Sequence, residues 1–388
     1  MNNSSTPRET LDPRILAECN DAARRWLLTC PEMPFSTPAT AAAIHKHLVR
    51  VLPTGLQHLD HFEHFGALEQ APWILCALAQ NGLENDPQTA LRYSERAYRL
   101  FDRLDDRAGL CFAWSGIIFG HVVAGDDLRR LDPWLDALDD IYAYRPESRD
   151  PVCNVRVMQA LAVALLHRET ASTRHAVWLE RTSAVLNASF DLEHRMALGP
   201  FLGLYAICTG DLNEAAGILH SLKADAATDT PAPATRALGY VFSALFGWIT
   251  GDTQASKRAV EAGLAVVAGT NAFRIENWLL LQGGYAHLLD GDTVTARAYL
   301  RRSEAMQAQT NHLRSVWYGL LHAFIHLCEQ NVTRAEVYVR LSLINATRQH
   351  SQFNRNIVSA FLSCVLLEKG DSSQTQFDVD SVHRVRVM

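Results

Sequence analysis

The sequence predicts an all-α fold, an α-solenoid of stacked helical hairpins that repeat about every forty residues and wind as a right-handed superhelix. Three features of the 388 residues carry that expectation. First, one turn recurs. Asn85-Asp86-Pro87, Gly125-Asp126-Asp127, Gly210-Asp211-Leu212, Gly251-Asp252-Thr253, Gly291-Asp292-Thr293, Gln330-Asn331-Val332 and Lys369-Gly370-Asp371 follow one another at spacings of 40, 85, 41, 40, 40 and 39 residues. Second, a small residue stands about five positions after the Gly or Asn: Ala90, Ala215, Ser256 and Ala296, with Ala335 one step earlier. Third, each turn is preceded by an apolar helical stretch and followed by a more polar, amphipathic one.

Taken from the N-terminus, residues 1–66 read as a helical cap whose first, polar residues are disordered. A helix over Ile15 to Leu28 is followed by a proline-broken loop, Pro31 to Pro38, and a second helix starting at Thr37-Pro38. Residues 67–370 are the solenoid. In each turn Gly or Asn supplies the left-handed conformation that ends one helix, and Asp, Asn or Thr caps the next. The small residue marks where the second helix crosses close to the first. The double-length gap holds a degenerate turn, His167-Arg168-Glu169-Thr170. Apolar helices are expected over Ala234 to Thr250, Glu276 to Asp290 and Ile357 to Leu367, and amphipathic ones over Ala255 to Ala268 and Val294 to Gln307. Residues 371–388 read as an irregular tail, so the last hairpin lacks its second helix. A solenoid needs a polar element at each end, which leaves an irregular cap, a covering partner or a longer parent chain as explanations.

Composition narrows the function classes. Net charge is −6 and the basic residues are scattered, which argues against direct binding of nucleic acid. The eight cysteines include no C-x-x-C pair and mostly sit in apolar helical runs, as small buried hydrophobes of a reducing compartment do. The N-terminus lacks the basic-then-apolar plan of a signal peptide. The longest uncharged run, Ala108 to Gly125, contains His121 and falls in register with the repeats, so it reads as a buried helix rather than a membrane span. These points favour a cytoplasmic protein.

A search for chemistry returns little. None of the four lysines follows a glycine, so there is no P-loop, and H-E-x-x-H, G-x-S-x-G and a strand-borne G-x-G-x-x-G are missing. The best metal candidate is His58, His61 and His64 with Asp60 and Glu63 between them, since imidazoles three apart share a broad helical face; a polar surface is the plainer reading. His322 and His326 are one helical turn apart and make half a metal site at most. No cofactor is expected, and the chain is expected not to be an enzyme. Trp114, Tyr205, Trp248, Trp278, Trp317 and Tyr318 recur on the first helices of the hairpins, which in superhelical repeats line the concave face. Core packing is the plainer account of such a stripe. If a groove exists, Trp278, Tyr318 and His322 are the residues expected to contact its ligand.

A family resemblance rests on dispersed residues. Gly66-Ala67-Leu68-Glu69-Gln70-Ala71-Pro72-Trp73, then Asp86-Pro87 and Ala90 to Phe101, resembles the start of the tetratricopeptide-like region of large bacterial ATP-dependent transcriptional regulators, the maltose-activator-like proteins and relatives of the antibiotic regulatory proteins. Ala113-Trp114, Gly125-Asp126 and Leu131-Asp132-Pro133-Trp134-Leu135 are similar to their next hairpin, as are Val260 to Leu264 and Gly284-Tyr285-Ala286 through Gly291-Asp292. The resemblance implies a sensor that binds a protein segment or small effector and controls an attached nucleotide-binding switch. This chain departs from those regulators in lacking their ATPase and DNA-binding domains, and from the tetratricopeptide consensus in repeat length. A non-catalytic regulatory module that recognises a protein segment or small effector in its concave groove is the leading expectation, since stacked hairpins make an extended curved surface. The alternatives are a scaffold that self-associates through the unpaired C-terminal helix face and, less favoured, a metal-dependent helical enzyme.

Overall fold

The computed structural model describes residues 13–29, 71–83, 86–125, 127–142, 151–168, 192–226, 232–270, 272–310 and 316–370, with the isolated positions 180 and 184. The described residues form fifteen α-helices, one 3-10 turn and no strand. Helix α1 (Pro13–Thr29) packs against α2 (Pro72–Gly82) and α6 (Pro151–Arg168). Successive hairpins are α2 with α3 (Pro87–Leu104), α4 (Arg107–Ala124) with the 3-10 turn Leu128–Leu131 and α5 (Asp132–Tyr142), and α7 (Leu192–Thr209) with α8 (Leu212–Ala226). The series continues as α9 (Pro233–Ile249) with α10 (Thr253–Val267), α11 (Phe273–Leu289) with α12 (Thr293–Thr310), and α13 (Val316–Cys328) with α14 (Val332–Arg348). Two first helices, α6 and α15 (Gln352–Glu368), are followed by residues outside the described set.

The recurring turn does the work expected of it. Asp86, Asp211, Asp252, Asp292 and Asn331 each accept a hydrogen bond from the backbone N–H three residues on, at 2.9–3.2 Å. That bond satisfies one of the donors a helix leaves open at its start. Before the last four of these the chain takes the left-handed conformation: φ is 88° at Gly210, 85° at Gly251 and 77° at Gly291, and Gln330 adopts 60° in the same place. Ala90, Ala215, Ser256, Ala296 and Ala335 are all buried where the two helices cross. At one crossing, a Cβ added to Gly247 would lie 2.9 Å from the Ser256 backbone nitrogen, and the Ser256 hydroxyl donates to the Ala244 carbonyl at 2.8 Å.

First helices stack on first helices in the order α2, α4, α6, α7, α9, α11, α13, α15. They are apolar nearly all round, as a helix covered on every side must be. The uncharged run is α4; it passes a length and composition test for a membrane span, but 67% of that window is buried inside the protein. Helix ends fall one to five residues from the expected ones, most visibly at α15, which starts at Gln352 rather than Ile357.

One feature of the path was not expected. Instead of running on as an open arc, the chain brings α15 back against α6. The Leu128 N–H donates to the Gln349 carbonyl at 2.9 Å, and Arg168 donates to the His350 carbonyl at 2.8 Å while its other nitrogens hold Asp132 at 2.6 and 2.8 Å. His350 sits 3.0 Å from Asp127, and Phe353 is buried in the same core as α1 to α9. The start of the last described helix is thus covered by the chain's own earlier repeats. Of the expected N-terminal cap only α1 is described, and the expected tail 371–388 lies outside the described residues.

Candidate functional site

Of the recurring aromatics, Trp114, Tyr205 and Trp278 belong to the larger core, Trp248 and Trp317 lie in an aromatic row, and Tyr318 turns to other neighbours. Trp248, Tyr285, Trp317 and Phe353, one from each of α9, α11, α13 and α15, form a continuous row. Trp248 and Tyr285 stack at 5.1 Å, Tyr285 meets Trp317 edge-on at 6.4 Å, and Trp317 meets Phe353 at 6.1 Å. The row ends on His167 of α6, 6.4 Å from Phe353, so it spans the junction that closes the path. Two of its polar edges are satisfied internally: Tyr285 donates to the Trp317 carbonyl at 2.8 Å, and the Trp248 indole N–H donates to Gln282. Such a row rigidifies the inner layer.

Tyr318 and His322 are brought together on α13, but they turn toward the outer helices. The Tyr318 hydroxyl donates to Glu304 of α12 at 2.5 Å and is 2.8 Å from His322 Nε2. The His322 ring stacks on Tyr338 of α14 at 4.5 Å, and His326 stacks on the same ring at 5.5 Å. The helical pair His322 and His326 therefore clasps a tyrosine. Burial, together with the Arg297 charge, holds the His326 imidazole below its ordinary pKa, so it stays neutral in this stack. Trp278, on α11, is half-buried against the larger core and belongs to a different cluster from Tyr318. His58, His61 and His64 lie outside the described residues. Among the described residues no group of three or more His, Cys, Asp or Glu side chains is arranged to hold a metal ion.

Two features had no counterpart in the sequence reading. Arg156 is 1% exposed, lies with its guanidinium 4.0 Å from the Phe112 ring centroid and donates to Gln80 at 3.0 Å. It borders a cavity of about 10 Å³ with Cys76, Ser94 and Gly116, room for a single water. Burial pushes the Cys76 thiol far up, so it stays protonated and unreactive.

The second feature is on the outer surface. Val337, Leu341 and Ile344 of α14 are 53%, 52% and 48% exposed and share one face at helical spacing. Counting from the capping residue, the same positions hold Arg92, Arg96 and Arg99 on α3 and Gly217, Ser221 and Ala224 on α8. They hold Arg258, Ala262 and Ala265 on α10, and Ala298, Arg302 and Ala305 on α12. The stripe stands out only when the repeats are set against one another, because it is a departure from the repeat and not a part of it.

No known protein family matches the chain, and no curated protein is detectably similar to it. Solved structures of helical fold are similar at low identity. A tetratricopeptide repeat protein from Parabacteroides merdae is 12% identical with a TM-score of 0.41, over 76% of this chain and 99% of that one. In the APC/C hetero-tetramer Cut9-Hcn1 the values are 13% and 0.45, over 89% of this chain and 63% of that one. The human IFIT1 dimer with m7Gppp-AAAA gives 12% and 0.44, over 80% and 67%. These likenesses concern the fold.

Proposed function

We propose that the chain is a non-catalytic protein-interaction module that engages its partner through the outer face of its C-terminal repeats. The observation that carries this reading is the aliphatic stripe on α14. Three large apolar side chains stand half in water where every other described outer helix of a hairpin counted from the same cap carries Arg, Gly, Ser or Ala. Such a row is a poor use of surface unless something covers it. The inner aromatics Trp248, Tyr285, Trp317 and Phe353 are engaged with one another, whereas nothing in the described structure packs on the exposed side of Val337, Leu341 and Ile344. In this reading Tyr318 and His322 hold α12, α13 and α14 in register beneath the binding surface, and Trp278 contributes to the inner layer. The resemblance to sensor regions of ATP-dependent regulators supports a regulatory role, in the cytoplasm.

In-cell cross-linking in the native host, followed by mapping of the linked residues, tests the proposal. The expected result is a protein partner whose cross-links fall on α10, α12 and α14 and are lost in Val337→Asp/Leu341→Asp. Absence of a partner, or cross-links unaffected by that variant, would overturn it.

A further inference from the structure

The charges around the α14 stripe specify what kind of partner it takes. Arg334 and Arg348 are exposed at its two ends, fourteen residues or about 21 Å apart along the helix axis. Arg340 lies on the flank toward the last described repeat, where it and Lys369 share one carboxylate, Glu336, each at 2.8 Å. The other nearby acid, Glu329, is already held by Arg297 at 2.7 Å. Positive charge therefore stands at both ends of the apolar row and on one flank, on a chain whose net charge is negative.

The same arrangement weighs against a second copy as occupant. Leu341 is the midpoint between Arg334 and Arg348. An antiparallel two-fold pairing of α14 centred on Leu341 would set Arg334 of each copy against Arg348 of the other. A parallel pairing would set each arginine against itself. Both bury like charges at the rims, which discriminates against self-association. We infer that the outer face of α14 docks an amphipathic helix of another protein, its apolar side laid on Val337, Leu341 and Ile344 and its acidic residues placed against Arg334, Arg340 and Arg348. The inference rests on the protein-interaction reading above and adds the chemistry of the partner.

The probe is a synthetic amphipathic peptide of about 18 residues, long enough to form a helix on docking, with leucines at i, i+4 and i+7 and glutamates on the flanks. Its twin carries lysine at every glutamate. Fluorescence anisotropy with the full chain should show the acidic peptide binding at least about tenfold tighter than the basic one, with the difference shrinking as salt rises. Leu341→Asp, a change at a half-exposed position, should abolish binding, and Arg334→Glu/Arg348→Glu should reverse the preference. Equal binding of the two peptides, no binding of either, or binding retained by Leu341→Asp overturns the inference. A dimer in sedimentation that Leu341→Asp dissociates also overturns it, in favour of a second copy. If the peptides fail while a native partner still cross-links to the outer helices, only the acidic-helix inference falls.

Discussion

At the residue scale, the repeated turn is a controlled comparison that the chain makes with itself. Gly210, Gly251 and Gly291 occupy the left-handed region at no steric cost, whereas Gln330 occupies it at φ 60° with a Cβ crowded against its own backbone. Its N–H donates to the Leu327 carbonyl at 2.9 Å, so the conformation is held by helix termination rather than by anything its side chain does. Gln330→Gly should stabilise the protein by about 0.5–1 kcal/mol, the relief of strain less the extra freedom glycine has when unfolded. Gly291→Gln should move stability the other way by a similar amount. Urea unfolding of the two variants checks this, and shifts of the same sign would show that the turns are not equivalent.

Between elements, a charge ladder fastens the last three described junctions. The sixth residue after Gly251, Gly291 and Gln330 meets the residue just before the next left-handed turn residue. The pairs are Lys257 with Asp290, Arg297 with Glu329, and Glu336 with Lys369, the last with its polarity reversed. The basic partners hold Asp290, Glu329 and Glu336 below the usual carboxylate range. Exposed pairs of this kind contribute at most about 1 kcal/mol each, so the ladder sets register more than it adds stability. Arg297→Glu and Glu329→Arg should each lower stability by about 1 kcal/mol or less, and the double reversal should recover most of the loss. A double-mutant cycle with additive effects would show that the pair does not couple. The hairpins themselves were legible in sequence because caps, left-handed glycines and small crossing residues are local, and each repeats every forty residues or so. The ladder was not, because its members lie 32 or 33 residues apart and are ordinary surface charges when taken singly. The α14 stripe was hidden for the opposite reason: it is the place where one repeat stops resembling the others. Tyr318 and His322 are expected at a groove from residue type, yet which way a helix turns its side chains depends on the neighbours, and here the outer helices supply Glu304 and Tyr338.

At the scale of the whole molecule, closure depends on pairings between residues more than 180 positions apart, which no local pattern encodes. At the centre of that junction His167 Nδ1 meets the Ser351 hydroxyl at 2.9 Å, and the ring lies against Phe353. Arg168, engaged with Asp132 and the His350 carbonyl, lies beside it, as does the contact of His350 with Asp127. Burial pushes the His167 imidazole from its ordinary 6.5 down to about 4, because a second positive charge cannot be solvated there. A base whose folded pKa is depressed takes up its proton more readily when unfolded. The unfolded state therefore binds more protons between about pH 6.5 and pH 4, and stability falls through that window as pH is lowered. The loss is up to about 3 kcal/mol and is complete below the folded pKa. His167→Gln, which keeps a hydrogen-bonding group but cannot titrate, should be less pH-sensitive across that window than the wild type. Comparing the two unfolding profiles cancels the carboxylates, which titrate in both. Parallel profiles would show that His167 does not govern the junction. A flattened profile for His167→Gln, with Phe353→Ala destabilised at every pH, would show that the clasp is held by burial of an uncharged ring against an aromatic one.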